Sequence, residues 1–456
     1  MLLARSVLTA GTGKRLVSVS SASSSLLFVQ PWRPCFFSTS PSPPPSSPVD
    51  ASTLVAGSKE GEGKKKPTID KRVWPIALST LAGGCAVGVL FPVMPIFVKE
   101  LGLSSQDFGI VVSVIGLSRL ALNIPAAWIT DRYGRRTTLI GGPVISAVGM
   151  GLTSFASNLA ELATFRFITG MGGSFQMTGA QMYLADISTK ENRARTMAPM
   201  GIAFATGATL GPGLGGFLSE QYGLQAPFFF VTAAIASVVV LNYRLIPETK
   251  MVKHSPLDRT VWEEFQSVSS QWKPLLRNPD MRRILGLHMT YWAAQSGCVW
   301  TLLPLFASDK FSLSVSQLGG MFAMMSAIGI VGLGPSAYIS DKLGRKFTIA
   351  PATLLVASAL TLMPFATSQQ ELFGLVAVFA TGSTLFNSTP SAFVSDITTE
   401  ETRGQGLALL RSAGDAGLFV GASTFGALNH HTSPEITFGC ASAAVLLAGG
   451  NFLLRK

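Results

Sequence analysis

The sequence predicts an all-α membrane protein with twelve transmembrane helices in two six-helix pseudo-symmetric bundles. Three observations predict it. First, the 456 residues are 48% hydrophobic and only 13% charged, where a soluble domain carries about 25% charged residues. Second, apolar runs of about 20 residues, the length that crosses a bilayer, follow one another from residue 76 onward. Third, one polar phrase is written twice between such runs, AWITDRYGRRT at 127–137 and AYISDKLGRKFT at 337–348. A transmembrane β-barrel is excluded, because it needs short alternating strands.

The chain ahead of the first run has a different character. Residues 1–49 contain no Asp or Glu, are rich in Ser, and hold Arg5, Lys14, Arg15 and Arg33 before the Pro-rich SPSPPPSSP. Such a composition cannot bury a core and matches an organellar transit peptide. Residues 1–72 are therefore expected to be a transit peptide and disordered segment, addressing the protein to a plastid envelope or mitochondrial inner membrane.

Apolar runs bounded by charge or Pro give spans at 76–98, 106–129, 138–157, 161–184, 197–219 and 226–246. The second set lies at 284–307, 315–339, 348–367, 371–394, 405–428 and 434–453. Domains follow at 73–246 and 284–456, joined by a linker at 247–283. In the linker, Leu257, Val261, Phe265, Val268, Trp272 and Leu275 recur at steps of three and four, one apolar face of a surface helix. Basic residues cluster in alternate connections: Arg132, Arg135 and Arg136; Lys190, Arg193 and Arg195; the linker; Lys342, Arg345 and Lys346; Arg403; Arg455 and Lys456. The other connections hold Lys99 and Lys310. The positive-inside rule then places both termini on the inner side. It also accounts for the net charge of +11 without nucleic acid.

The repeat has a fixed register. Gly109 and Gly319, Pro125 and Pro335, Asp131 and Asp341, Gly134 and Gly344, Asp186 and Asp396, and Arg193 and Arg403 are each 210 positions apart. Two copies of a six-helix unit are the economical explanation, and parallel repeats are a known transporter architecture.

On these features residues 70–456 resemble the major facilitator superfamily. The resemblance rests on the doubled D-R-Y-G-R-R and D-K-L-G-R-K, the six-plus-six layout and the long linker. Ala127 and Ala337 stand where the family motif has Gly. GATLGPGLGG at 207–216 resembles the fifth-span motif of proton-coupled antiporters, and RFITGMGGS at 166–174 the Arg-containing fourth-span motif. DHA-type drug or metabolite:proton antiporters look most similar. The resemblance implies a conformational gate at Asp131, Gly134, Arg135, Asp341, Gly344 and Arg345. It would latch the halves together at the inner face when the pocket opens outward. It also implies a leak-resisting bend at Gly207, Gly211, Pro212 and Gly215. From the residues alone, those glycines share a helical face suited to close packing.

Charges inside a span cost about 2.5–3.5 kcal/mol each on insertion scales and normally face a cavity or a partner. Arg119, Arg166, Arg411 and Asp415 are such charges. With the polar Asn123 and Gln176 they are the candidates for substrate binding and proton coupling. Arg411 and Asp415, four apart, share a helical face, so two readings stand: a mutually neutralising pair, or Asp415 titrating while arginines attract an anionic group. Gln181, Gln295 and Asn387 are further polar candidates, and His288 is expected near a membrane interface.

No nucleophile elbow, phosphate loop or zinc spacing is present. Cys35, Cys85, Cys298 and Cys440 have no CxxC spacing. An enzyme, a cofactor and a metal are not expected. The expected function is secondary active transport of a small organic solute, an anionic one being favoured by the excess of Arg over Asp in the spans, by a monomer working through alternating access as proton-coupled antiport or efflux. A uniporter or a non-transporting sensor is the alternative.

Overall fold

The structure, a computed structural model, describes residues 70–189, 192–249 and 260–454. Residues 1–69 of the expected transit peptide and disordered segment lie outside them. All regular structure among the described residues is helical.

The first half contains α1 (Val73–Glu100), α2 (Ser105–Tyr133), α3 (Arg135–Thr153), α4 (Leu159–Asp186), α5 (Arg193–Tyr222) and α6 (Ala226–Leu245). The linker folds as α7 (Val261–Arg277). The second half opens with α8 (Pro279–Ala294), which continues through a π-helical segment (Gln295–Leu302) into α9 (Leu303–Phe311). It is completed by α10 (Val315–Leu343), α11 (Arg345–Leu362), α12 (Gln369–Ile397), α13 (Arg403–His431) and α14 (Pro434–Leu453). Every anticipated span falls on a helix or, at 284–307, on the α8–π–α9 run.

Local sequence fixes where these helices start, and it does so twice. Ser104 and Asp107 cap each other reciprocally at the start of α2, and Ser314 and Gln317 do the same for α10. Asn158 accepts from the Glu161 amide at α4, and Ser368 from the Glu371 amide at α12. All four capping positions obey the 210-residue register.

Gly134 and Gly344 end α2 and α10 at φ 98° and 96°. That region suits a residue without Cβ, so each Gly lets the chain reverse in one step. These turns share a face of the molecule with the basic connections, the basic face. The other helix ends form the opposite face.

Seven helical segments among the described residues are long and apolar enough to cross a membrane, those of α1, α2, α6, α10, α11, α12 and α14. Two that fall short are α4 and α13, which carry Arg166 with Gln176 and Arg411 with Asp415. Their polar content lowers their mean hydropathy. The chain is an integral multi-pass membrane protein.

Within the first half, α1 packs against α5 and α3 against α4; within the second, α11 packs against α12 and α8 against α13. The halves meet along two seams, α2 on α13 and α5 on α10. Along the surface helix α7 the anticipated apolar face divides: its C-terminal part packs inward, and Val261 and Phe265 in its first half are exposed. Trp272 and Leu275 pack onto the second half's core, and the Trp272 indole N–H donates to Gln405 Oε1 at 3.2 Å. Its other end leaves Trp262 and Phe265 exposed and stacked. Leu257 lies outside the described residues.

Candidate functional site in the seam between the halves

Arg119 and Asn123 lie four residues apart on α2 and reach the same carboxylate across the seam. Arg119 Nε is 3.1 Å from Asp415 Oδ1, and Asn123 Nδ2 donates to Asp415 Oδ2 at 2.9 Å. The Asp415 side chain is 2% exposed, whereas Arg119 is 36% exposed. The carboxylate is thus buried and the arginine that neutralises it is open to its surroundings. Gly116 makes the approach possible, because a Cβ there would crowd Phe419 N and the Asp415 carbonyl.

Arg411 is placed differently from one of the two sequence readings. It does not serve as the ion partner of Asp415; its Nη1 donates across the seam to Gln181 Oε1 on α4 at 3.1 Å. An i,i+4 spacing permits a pair but does not oblige one, and α2 offers Asp415 a cation and an amide together. Arg119, Asn123, Arg411, Asp415 and Gln181 therefore form one cluster bridging the halves, with two guanidiniums against one carboxylate.

Arg166 and Gln176 lie apart from it. Arg166 is 5% exposed, and its Nε and Nη1 find no hydrogen-bond partner among the described residues. Gln176 donates from Nε2 to the Ser79 carbonyl of α1 at 3.1 Å, a bond inside the first half.

The gate residues form two matching triads. Arg135 binds Asp131 at 2.9 Å and Asp186 of α4 at 2.8 Å. Arg345 binds Asp341 and, at 3.0 Å, Asp396 of α12. In this conformation both triads close within their own half. The first triad has an addition: Glu248 accepts from the Arg135 and Arg136 amides, each at 3.0 Å, capping α3. Glu248 lies at the start of the linker, 113 residues from Arg135, so nothing local to the motif marks it in the sequence.

Gly207, Gly211 and Gly215 lie against the α1 backbone at Leu81, Cys85 and Val89. Pro212 meets Gly88 on the same helix, and its carbonyl crowds Gly319 of α10. The stripe lets α5 contact two helices from different halves at close range.

His288 is not interfacial. Its Nε2 accepts from the Trp292 indole N–H at 3.1 Å, its ring stacks on Phe386, and its edge meets Gly414 beside Asp415. Nearby, Tyr291 Oη shares a 2.7 Å hydrogen bond with Ser383 Oγ and accepts from Asn387 Nδ2 at 3.2 Å. The π segment starts at Gln295, whose Oε1 accepts from Tyr291 Oη at 3.3 Å. Such segments are frequent at functional sites, and no feature of the sequence announced this one.

At the opposite face, Lys99 and Asp309 form an ion pair across the halves, with Lys99 also donating to Ser308 Oγ at 3.3 Å. They are 210 residues apart, counterparts carrying opposite charge. A cavity of about 510 Å³ adjoins them, lined also by Lys310, Asn429 and His430. It is separate from the Asp415 cluster. On the same face Ser316 N donates to Glu220 at 3.2 Å. Gly109 meets Ala422 and Gly426 while Gly216 meets Ser316, so inter-half contact is dense there.

The profile of the Major Facilitator Superfamily matches residues 76–351 and, separately, 292–456. An uncharacterized MFS-type transporter of Methanocaldococcus jannaschii is 23% identical over 362 residues, covering 79% of this chain and 92% of that protein. The quinolone resistance protein NorA of Staphylococcus aureus is 24% identical over 366 residues, covering 79% and 90%. Among solved structures, a bacterial homolog of the human lysosomal transporter Spinster, inward-facing and unoccupied, superimposes with a TM-score of 0.72 at 14% identity, covering 84% of this chain and 96% of that one. The human organic anion transporter TETRAN gives 0.63 at 20% identity, covering 85% and 100%.

Proposed function

The chain belongs to the Major Facilitator Superfamily, and on that premise we propose that it is a proton-coupled secondary transporter of a small organic solute, working by alternating access. The observation that carries the reading is the buried Asp415, held by Arg119 and Asn123 from the other half. A carboxylate at an inter-half contact links protonation to the geometry of the halves. Charged, it fastens α13 to α2. Protonated, it needs no counter-ion, so Arg119 is released and the seam is free to part.

The dense contacts at the opposite face make this conformation the one closed on that side. The Lys99–Asp309 pair must separate when the halves rock the other way. The Asp131 and Asp341 triads then become available to contact the partner half at the basic face. Two guanidiniums against one carboxylate favour a cargo with negative charge, and the structurally similar TETRAN is an organic anion transporter. The efflux relatives argue for export. The acid-free residues 1–49 argue for an organellar address, tested by the destination of a fluorescent fusion of residues 1–75.

Proteoliposomes carrying an imposed pH gradient test the carrier reading. They are offered two probes, the cation ethidium and the anion naphthalene-2-sulfonate. The unmutated protein should accumulate at least one, and collapse of the gradient should abolish accumulation. Asp415→Asn should lose gradient-driven accumulation while retaining exchange of preloaded solute. Accumulation by Asp415→Asn equal to the unmutated protein would overturn the coupling assignment. Equilibration that ignores the gradient would identify a uniporter.

A further inference from the structure

The seam beside Arg411 has an aromatic wall. Tyr291 and Phe386 stack with centroids 4.2 Å apart, and Trp292 follows at 5.8 Å from Tyr291. Trp300 continues the row at 5.8 Å from Trp292, and Phe91 of the first half joins it at 5.2 Å from Trp300. Trp292 and Trp300 are only partly buried, and Trp292 lies at the level of the charged cluster, against Gly414. Trp292 and His288 border Gly414, which sits between Arg411 and Asp415 along α13. Asn387 is exposed although it donates to Tyr291, which places a polar edge on the wall.

Charge and rings thus adjoin. Arg119 takes the Asp415 carboxylate directly, while Arg411 hydrogen-bonds the neutral Gln181 amide and shares that single negative charge with Arg119. One positive charge remains for a ligand to satisfy, beside aromatic faces that stack on planar rings.

Resting on the carrier reading above, we propose that this seam binds a single planar aromatic ring bearing one anionic group, the anion on Arg411 and the ring on Trp292. We further infer that this anion moves together with the Asp415 proton, not in exchange for it. Protonating Asp415 removes the counter-charge of Arg119, so the seam becomes more positive and holds an anion more tightly. By reciprocity the bound anion favours the protonated carboxyl. A cationic cargo would compete with the proton and give exchange; an anionic one gives co-movement. The charged and titratable groups around Asp415 are Arg119 from α2, Arg411 on α13 and, beside Gly414, His288 from α8.

The test is equilibrium binding of naphthalene-2-sulfonate, a permanent anion, to the purified full chain in detergent. Comparison ligands are naphthalene-2-sulfonamide, neutral with the same ring, and cyclohexanesulfonate, charged without an aromatic ring. The aromatic anion should bind about tenfold or more tightly than the sulfonamide. It should bind about three- to tenfold more tightly than the saturated anion. Arg411→Gln should abolish the first preference and Arg411→Lys should keep it, which separates lost charge from lost fold. Trp292→Leu, at an unchanged melting temperature, should abolish the second. Asp415→Asn, which removes the carboxylate's charge as protonation does, should bind the sulfonate more tightly than the unmutated protein at neutral pH, and acidification should tighten binding in the unmutated protein and in His288→Gln but not in Asp415→Asn. Equal affinity for sulfonate and sulfonamide, or an unaltered preference in Arg411→Gln, overturns the site. Weaker binding on acidification overturns co-movement. A protein that binds the sulfonate as described yet accumulates no solute sinks the carrier reading alone. One that accumulates ethidium yet ignores the sulfonate sinks this inference alone.

Discussion

The two seams between the halves are built on the same plan and carry different chemistry. Toward the opposite face they are alike. Gly109 on α2 meets Gly426 on α13, and their counterparts Gly319 and Gly216 lie in the α10–α5 seam against Pro212 and Ser316. Small residues set the close approach in both. Deeper in, they part. The α2–α13 seam holds Arg119, Asn123, Arg411 and Asp415. The residues one register away, on α10 and α5, are Gly329, Leu333, Gly201 and Ala205. A duplicated scaffold supplies two equivalent seams, and divergence of a few side chains puts charge into one of them.

Breaking the charged seam should have the largest effect. Arg119→Gln leaves a carboxylate that is 2% exposed without its cation, which costs about 3–5 kcal/mol when a buried pair is broken. Thermal unfolding in detergent should show a large drop at neutral pH that shrinks on acidification, because a protonated Asp415 needs no partner. Gly329→Ala at the matching position should move unfolding little, since Thr384 Oγ1 is the nearest atom, 3.8 Å from a Cβ built there. Equal losses at the two positions would erase the distinction between the seams.

The paired turns give a smaller contrast. Gly134→Ala and Gly344→Ala both force a side chain into a positive-φ backbone, costing about 1–3 kcal/mol. Gly134→Ala should cost more, because its Cβ would collide with the Glu248 carboxylate while Gly344 has open space around it. Equal melting-temperature shifts would show that Glu248 gives way freely. Glu248→Gln should have the smallest effect, about 0.5–1 kcal/mol, from the lost negative charge at the α3 N-terminus. That loss should fade in high salt.

Much of the fold was legible because bilayer helices are specified locally. Apolar length, the repeated caps at Ser104 and Ser314, and the glycines at 134 and 344 each act within a few residues of themselves. The fixed register then tied α2 to α10 and α4 to α12. The site was legible in composition but not in pairing. Arg119, Asn123, Arg411 and Asp415 stood out as polar groups in spans, yet Asn123 and Asp415 are 292 residues apart and their meeting depends on how the halves dock. The nearer i,i+4 partner was a plausible competitor, and Arg411 instead turned to Gln181. The Lys99–Asp309 pair was hidden for another reason. Opposite charges at equivalent positions look like divergence along the chain but become a contact across a pseudo-twofold axis. In the Tyr291–Ser383–Asn387 network that joins α8 to α12, Asn387 stood out as a polar group in a span, but its partners Tyr291 and Ser383 did not.

The central claim is that protonation of Asp415 biases which face of the duplicated bundle is closed. Spin labels at Glu100 and Lys310 report the opposite face, and labels at Arg132 and Lys342 report the basic face. Pulsed dipolar distances in lipid nanodiscs should respond in opposite senses to acidification. The opposite-face distance should lengthen and the basic-face distance shorten, with Asp415→Asn unresponsive. Distances that ignore pH in the unmutated protein, that change in the same sense at both faces, or that still respond in Asp415→Asn would contradict the account.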